Sequence, residues 1–292
     1  MGIVKMILLS PGESTPLHSE LARALGASIG AVESRSFPDG ELYLRIMDDL
    51  KGQDVLVVQN TRTEKDILSL LMLLEAARAL EPAKLDLLVP YFGYARQHMR
   101  YNIGEPISSK VVVDAISPYV DSMFCIDIHD EETLEYSSKP FHNIHITESI
   151  LNHYKDSDIS YVVSPDDGGF ERVKGIAKLL GAIPLHLDKK RESDSVVKVV
   201  MNEIADIYGK NILLLDDVIS TGGTILQSLD LLKRRKVSSV YVCAIHGIFA
   251  NKSEETIAFS CSGLSVSNTV NTKYSNIDIS DEVAKKIKEV VK

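Results

Sequence analysis

Hydrophobic runs of the kind that form buried strands alternate with helical patterns along the first half of the chain. Short, predominantly apolar runs between polar segments are typical of parallel strands that are covered on both faces. This alternation predicts an α/β fold with a mainly parallel sheet flanked by helices. The predicted strands are 3–9, 55–59, 85–89 and 122–126, and the predicted helices are 18–25, 66–80 and 108–116.

The same alternation starts again in the second half of the chain, after Lys139 and Pro140. We therefore predict two similar α/β domains, 1–143 and 144–292. The last stretch, 281–292, has the pattern of a charged amphipathic helix and is a candidate to pack on the N-terminal domain. The predicted strands of this half are 161–163, 184–187, 212–215 and 240–244, and its predicted helices are 148–154, 169–180 and 223–233.

A glycine-rich loop, Ser220 to Thr224, joins a predicted buried strand to a predicted helix. Gly222 and Gly223 allow the backbone N–H groups to turn inward, and the N-terminus of the following helix favours an anion. The hydroxyls of Thr221 and Thr224 add donors. The loop therefore predicts a cradle for one phosphate group.

Two acidic residues, Asp216 and Asp217, precede this loop at the predicted end of the strand. Their carboxylates are acceptors that suit the two adjacent hydroxyls of a ribose ring. A dinucleotide fold would instead show Gly-x-Gly-x-x-Gly, and a P-loop would end in Gly-Lys-Ser/Thr. Neither pattern occurs in the chain, so the combination favours a ribose phosphate.

A second candidate segment, 91–97, follows the predicted strand at 85–89 and should lie at the carboxyl edge of its sheet. The guanidinium of Arg96 is suited to the oxygens of a polyphosphate. The amide of Gln97 can both donate and accept at a base or ribose edge.

A predicted hairpin tip, 37–41, combines an aromatic ring, a turn glycine and two acids. Phe37 is suited to stack on a purine, with Gly40 in the turn. Asp39 and Glu41 can accept hydrogen bonds from the amino group of an adenine. This tip is therefore a candidate adenine platform.

Candidate metal ligands follow two other strands. Asp127 and His129 are two residues apart, a spacing that predicts side chains on the same side of an extended chain. Asp166 follows the strand at 161–163. Mg²⁺ is usually held by one or two protein ligands, and substrate oxygens complete its coordination. His129 and Asp166 therefore need to be only part of the ligand set.

Three cations follow the predicted strand at 184–187, in a segment that we interpret as a loop. A lysine and an arginine at the mouth of a triphosphate site would stabilise the charge that develops during phosphoryl transfer. Lys189 and Arg191 are the candidates.

Composition limits the classes of partner. The 292 residues carry a formal charge of -9 with a pI near 5.4, which argues against nucleic acid or a membrane surface as the main partner. Three cysteines without C-x-x-C spacing indicate free thiols in a reducing compartment. We find neither a signal peptide nor 18 consecutive apolar residues, and we expect a cytoplasmic protein.

Taken in order, the motifs resemble those of ribose-phosphate pyrophosphokinases along essentially the whole chain. They are Phe-Pro-Asp-Gly-Glu, Tyr-Phe-Gly-Tyr-Ala-Arg-Gln, Asp-x-His, Ser-Pro-Asp-x-Gly-Gly, Asp-Lys-x-Arg and Asp-Asp-x-x-x-Thr-Gly-Gly-Thr. The resemblance implies two domains of the type I phosphoribosyltransferase fold. It also implies transfer of the β,γ-pyrophosphoryl group of ATP to the anomeric hydroxyl of ribose 5-phosphate. The products would be AMP and phosphoribosyl pyrophosphate (PRPP), a precursor in nucleotide biosynthesis.

The resemblance also implies a role for each motif. Lys189 and Arg191 match the family's catalytic loop, while His129 and Asp166 match its site for Mg²⁺, or for Mn²⁺ in its place. Residues 37–41 match an adenine platform that a neighbouring subunit lends, so the enzyme should be a homodimer or a larger homo-oligomer. Two sets complete the assignment: Arg96 and Gln97 for ATP, and Arg191, Asp216, Asp217, Ser220, Thr221, Gly222, Gly223 and Thr224 for ribose 5-phosphate.

Three features depart from the family pattern. Ser220 stands where many bacterial and animal members have Asp, and in this respect the chain resembles the archaeal branch. His98 replaces an acidic residue. The sequence also ends at Lys292 without the family's allosteric tail. We therefore expect ADP to inhibit only by competing with ATP at its own site. Two alternatives remain: a phosphoribosyltransferase that consumes PRPP, and a non-catalytic regulatory subunit.

Overall fold

The computed structural model describes residues 6–12, 14–193, 196–200 and 206–290, with the side chains of 189–200 outside that description. The chain forms two compact units. The first comprises Met1–His145 and Ile279–Lys292, and the second comprises Ile146–Asp278. The division at residues 143 and 144 stays a prediction about domains.

The first unit is built on a six-stranded sheet whose paired strands all run parallel, in the order β2-β1-β5-β6-β7-β8. Strands β3 and β4 form a separate antiparallel hairpin. The strands are β1 Ile7–Leu9, β2 Ser28–Ile29, β3 Val32–Ser36, β4 Leu42–Ile46, β5 Asp54–Val58, β6 Lys84–Val89, β7 Ser122–Ile126 and β8 Phe141–Ile144. The helices are α1 Pro16–Leu25, α2 Glu64–Ala79 and α3 Ser108–Ile116, with 3₁₀ turns at Ser117–Tyr119 and Glu131–Tyr136.

The central strands of this sheet are mostly apolar and almost completely buried, as parallel strands inside a domain are. Four consecutive residues, 55–58, are almost completely buried in β5. Their neighbours in the core include Leu73 on α2 and Leu87 on β6. The predicted strands 55–59, 85–89 and 122–126 are therefore confirmed as β5, β6 and β7. Of the predicted strand 3–9, residues 7–9 form β1, and residues 3–5 lie outside the described part of the chain.

The second unit repeats the architecture with a parallel sheet in the order β10-β9-β13-β14-β15-β16. Strands β11 and β12 form its antiparallel hairpin. The strands are β9 Tyr161–Ser164, β10 Ile183–His186, β11 Asp188–Ser193, β12 Val196–Val200, β13 Asn211–Ile219, β14 Ser239–Gly247, β15 Gly263–Ser267 and β16 Ser275–Ile277. The helices are α4 Thr147–Tyr154, α5 Phe170–Leu180, α6 Gly223–Arg234 and α7 Ser253–Ser260, with a 3₁₀ turn at Ala250–Lys252.

The two units share one connectivity, with a hairpin inserted between the second and third strands of each parallel sheet. The strand order reverses between β1 and β5 in the first unit and between β9 and β13 in the second. Such switch points are where open α/β sheets bind ligands, at the carboxyl ends of the strands. The predicted fold class is confirmed.

Two local expectations are wrong. The segment after β10 is not a loop, because residues 188–193 pair with β12, which is rich in β-branched valine. Strand β13 does not end at Leu215. It continues to Ile219 because β14 is equally long and pairs with it, Asp216 opposite Ala244 and Val218 opposite His246.

The last helix, α8 (Ser280–Val290), packs against α1 within the first unit. Val283 and Ile287 on its apolar face are buried. At its two ends, Arg23 lies 3.2 Å from Asp281, and the Lys288 ammonium donates to the carbonyl of Ala24 at 2.7 Å. Among the described residues, no helix is both long and apolar enough to cross a membrane.

Candidate active site

The loop at the carboxyl end of β13 presents an open helix N-terminus. Gly222, the residue before α6, lies in the left-handed region with a φ of 77°, and no side chain caps the helix there. Its backbone passes so close to α7 that an added Cβ would lie 2.7 Å from Cδ1 of Ile257. Only glycine fits this position without strain.

The loop 220–224 is also anchored at its first residue. The carbonyl of Ser220 accepts from the N–H of Ala250 at 2.9 Å and from the hydroxyl of Ser253 at 3.1 Å. Thr221 and Gly223 remain exposed. The loop is therefore held from behind while its outer side faces solvent.

The corresponding helix of the first unit is closed by its own side chains. The Thr63 hydroxyl accepts from the N–H of Asp66 at 3.1 Å, and the Asp66 carboxylate accepts from the N–H of Thr63 at 3.0 Å. This capping box uses donors that an anion would need. Of the two switch points, the second unit therefore has the helix N-terminus that suits a phosphate.

Three carboxylates gather beside the loop 220–224. The N–H of Asp217 donates to Oδ1 of Asp216 at 2.9 Å, and the N–H of Val218 donates to Oδ1 of Asp217 at 2.8 Å. Burial raises the pKa of Asp216 well above its ordinary value, and the charges of Asp217 and Asp166 raise it further. Such a cluster favours a ligand that brings hydroxyl donors or positive charge.

Asp166 is held in a tight turn after β9. The Ser164 hydroxyl donates to the carbonyl of Asp166 at 2.6 Å, and the N–H of Gly169 lies 3.4 Å from Oδ1 of Asp166. A Cβ at Gly169 would lie 2.6 Å from the Ser164 hydroxyl oxygen, so a larger residue there would displace that hydroxyl from its hydrogen bond in the turn. The structure thus brings together Asp166, Asp216, Asp217 and the loop 220–224.

In the first unit, the segment after β6 is fixed by contact with the loop after β5. The N–H of Gly93 donates to the Thr61 hydroxyl at 2.9 Å, and a Cβ at Gly93 would lie 2.1 Å from the Thr61 carbonyl oxygen. The Gln97 N–H donates to the carbonyl of Tyr94 at 3.1 Å, and the Ser108 hydroxyl donates to the side-chain carbonyl of Gln97. Arg96 is exposed and forms no hydrogen bond or ion pair with another described residue.

The hairpin tip between β3 and β4 closes on itself and leaves its ring accessible. The N–H of Phe37 donates to the carbonyl of Glu41 at 2.7 Å, and the N–H of Gly40, at a φ of 96°, donates to the carbonyl of Phe37 at 2.9 Å. The Asp39 carboxylate accepts from the N–H of Glu41 at 3.2 Å. The side chains of all these residues lie on the surface, where a ligand can reach them.

His129 is exposed just beyond the end of β7, but its predicted alignment with Asp127 is wrong. Asp127 is buried, with Oδ1 lying 2.7 Å from Nδ1 of His145. The strand ends at Ile126, and Asp127 has a φ of 38°, so the alternation of an extended chain stops there.

A link that the sequence did not predict joins the segments of Arg96 and His129. Nε2 of His98 lies 3.3 Å from Oδ2 of Asp130, and the Tyr136 hydroxyl donates to the carbonyl of His98 at 2.7 Å. His98 is buried, although it lacks any ligand spacing in the sequence. The departure of residue 98 from the family's acidic pattern was its one sequence signal.

For the two predicted catalytic cations, Lys189 and Arg191, the structure describes the backbone but not the side chains. Lys189 and Arg191 belong to β11, opposite Val199 and Val197 of β12. Their roles stay predictions.

Known proteins resemble both units. The family model for the N-terminal domain of ribose phosphate pyrophosphokinase matches residues 6–118, and the family model for the phosphoribosyl transferase domain matches residues 136–277. A ribose-phosphate pyrophosphokinase of Thermoplasma acidophilum is 42% identical over 274 residues, which cover 94% of this chain and 96% of the relative. The chain belongs to the ribose-phosphate pyrophosphokinase family.

Further matches agree with that assignment. A ribose-phosphate pyrophosphokinase of Pyrococcus abyssi is 33% identical over 285 residues, covering 97% of this chain and 98% of the relative. The crystal structure of phosphoribosylpyrophosphate synthetase from Mycobacterium smegmatis superposes with a TM-score of 0.83 at 26% identity, covering 98% and 99% of the two chains. Membership makes the chain an enzyme, a transferase of the kinase type that forms PRPP.

Proposed function

We propose that this enzyme transfers the β,γ-pyrophosphoryl group of ATP to the anomeric hydroxyl of ribose 5-phosphate, releasing AMP. The 5-phosphate binds at the N-terminus of α6, on the loop 220–224. Asp216 and Asp217 accept hydrogen bonds from the ribose hydroxyls.

One observation carries this proposal: the uncapped N-terminus of α6 lies directly beside a pair of half-buried carboxylates. Gly222 leaves the first N–H groups of the helix open to an anion, whereas α2 in the other unit is closed by Thr63 and Asp66. Asp216 and Asp217 precede the same loop. A ligand that carries both a phosphate group and a sugar diol suits this pairing of donors and acceptors.

ATP binds through the first unit. Phe37 stacks on adenine, and Asp39 and Glu41 accept hydrogen bonds from its amino group, with Gly40 shaping the turn. Arg96 and Gln97 contact the phosphates and the ribose. The exposed guanidinium of Arg96, next to a Gln97 that Ser108 holds in place, supports this role.

In the family pattern, His129 and Asp166 are the candidate ligands of the Mg²⁺, or of the Mn²⁺ in its place, that accompanies the nucleotide. The chemistry of the donors fits: Asp166 belongs to a cluster of three carboxylates in which the pKa of Asp216 is already raised by burial and by its negative neighbours. When bound, the ion neutralises phosphate charge. Lys189 and Arg191 supply further positive charge to the transferring group, and Arg191 also contacts ribose 5-phosphate.

The active site is shared between subunits of a homodimer or larger homo-oligomer, because the adenine hairpin is lent by a neighbour in the family pattern. The hairpin tip is exposed, as a donated segment must be before assembly. We place the enzyme in the cytoplasm, and the buried free thiols of Cys125 and Cys243 support a reducing compartment.

Product analysis tests the reaction. With Mg²⁺, ATP and ribose 5-phosphate, we expect PRPP and AMP in equal amounts, and no AMP when the sugar phosphate is omitted. ADP as the main product would contradict pyrophosphoryl transfer. Nucleotide binding without turnover would favour the regulatory subunit, and consumption of PRPP with a nucleobase would favour a phosphoribosyltransferase.

A further inference from the structure

The β3–β4 hairpin has one face on the core and one face in solvent. Val32, Leu44 and Ile46 pack against the hydrophobic core of the first unit. Arg35 lies directly opposite Tyr43 in the antiparallel pairing, so their side chains share the solvent face. Phe37, two residues beyond Arg35, continues that face onto the hairpin tip.

On this face, one guanidinium contacts two aromatic rings. Cζ of Arg35 lies 4.2 Å from the ring centroid of Tyr43 and 4.9 Å from that of Phe37. The two rings meet edge to face, with centroids 6.0 Å apart and an interplanar angle of 82°. Both separations from the cation are within the range of a cation–π interaction.

The arrangement matters because Phe37 has no place in the core to fix its ring. Its side chain is 39% exposed at the tip of a hairpin. A ring that must be immobilised when a ligand binds loses rotamer entropy at that moment, whereas a ring already held loses less. The contacts with Arg35 and Tyr43 hold the ring before the ligand arrives, and the cation occupies one side of it.

We propose that Arg35 is a positioning residue for the nucleotide: it holds Phe37 against Tyr43 so that the ring presents a fixed surface to adenine. This inference rests on the proposed function, since it assumes that Phe37 contacts the base. Arg35 acts through Phe37 and need not touch the nucleotide.

Steady-state kinetics of Arg35→Met test the role. Loss of an exposed cation–π pair should raise the KM for ATP about two- to fivefold, with kcat and the KM for ribose 5-phosphate unchanged. Arg35→Lys keeps the charge and should restore part of the affinity. Arg45→Met is the matched control, because Arg45 lies on the same face opposite Glu33, and it should behave as wild type.

A binding measurement avoids turnover altogether. The chain contains no tryptophan, so Phe37→Trp introduces the only tryptophan of the variant, at the platform, where its emission can be excited selectively. ATP should change its emission, and adding Arg35→Met should shift the titration to about two- to fivefold higher ATP.

Phe37→Ala distinguishes a failure of the adenine platform from a failure of the positioning role of Arg35. If Phe37→Ala leaves the KM for ATP at the wild-type value, the adenine platform itself is wrong. If Phe37→Ala raises that KM while Arg35→Met matches Arg45→Met, the platform stands and the role of Arg35 is overturned. A fall in kcat alone in Arg35→Met would also overturn it, because positioning of the ground-state ligand changes KM.

Discussion

The backbone of Gly222 lies against the side chain of Ile257, and a Cβ at residue 222 would lie 2.7 Å from Cδ1 of Ile257. Because Gly222 also has a φ of 77°, Gly222→Ala should lose about 2 kcal/mol or more of stability from backbone strain and the clash. It should also weaken ribose 5-phosphate binding, since the loop must shift. Denaturant unfolding and the KM for the sugar phosphate check both effects.

Two further variants separate the clash from the strain. Gly223→Ala should change stability by less than about 0.5 kcal/mol, because the nearest atom to its Cβ would be 3.9 Å away. Combining Gly222→Ala with Ile257→Ala should cost less than the sum of the single changes. Strict additivity would show that the contact with Ile257 plays no part.

Asp216→Asn should stabilise the protein without substrate while weakening ribose 5-phosphate binding about tenfold. The pKa of Asp216 is raised in the folded state, so its favourable contribution is fully present below the ordinary value of 3.8 and is lost as pH rises through the folded value. The gain in Asp216→Asn should therefore grow as pH rises above about 4 and then level off.

Melting temperatures measured across that pH range check this prediction. Asp230→Asn on α6 is the control, because its carboxylate is exposed and paired only on the surface with Arg234. A wild-type protein that gains as much stability as Asp216→Asn on raising the pH would contradict the buried-carboxylate account.

The sequence predicted the parallel sheets and the glycine turn before α6 because both depend on local patterns. Buried parallel strands such as β5 need unbroken apolar runs, and the open N-terminus of α6 needs glycine at Gly222. The extent of β13 depends instead on its partner β14. That pairing is a long-range property, so the sequence placed Asp216 beyond the strand when it lies within it.

Side-chain direction at the end of β7 was the other failure. The alternation argument holds only for an extended chain, and Asp127 leaves that conformation with a φ of 38°. The contact between His98 and Asp130 joins two residues that lie 32 positions apart in the chain. No local pattern encodes such a contact.

Gly93→Ala should raise the KM for ATP about tenfold or more, because an added Cβ would lie 2.1 Å from the Thr61 carbonyl oxygen and displace Arg96 and Gln97. Gly12→Ala is the control, since a Cβ at Gly12 has no atom within 4 Å. Kinetics at saturating ribose 5-phosphate measure the effect. An unchanged KM in Gly93→Ala would show that this segment does not bind ATP.

Mixing two inactive variants should restore activity if each active site takes its adenine hairpin from one subunit and Lys189 from another. One parent carries Asp39→Ala and Glu41→Ala, and the other carries Lys189→Ala. After random exchange of equal amounts, half of the hairpins and half of the lysines are intact, so about a quarter of the sites combine both. The mixture should therefore recover about a quarter of wild-type activity, measured as AMP release.

The matched control mixes the hairpin variant with a chain that carries all three substitutions. No site can then have an intact hairpin, so activity should stay at background although the subunits exchange equally well. Native mass spectrometry measures that exchange in both mixtures. If hybrids form and the first mixture still shows no activity, hairpin and lysine come from the same subunit, because each chain then carries one defect into its own site.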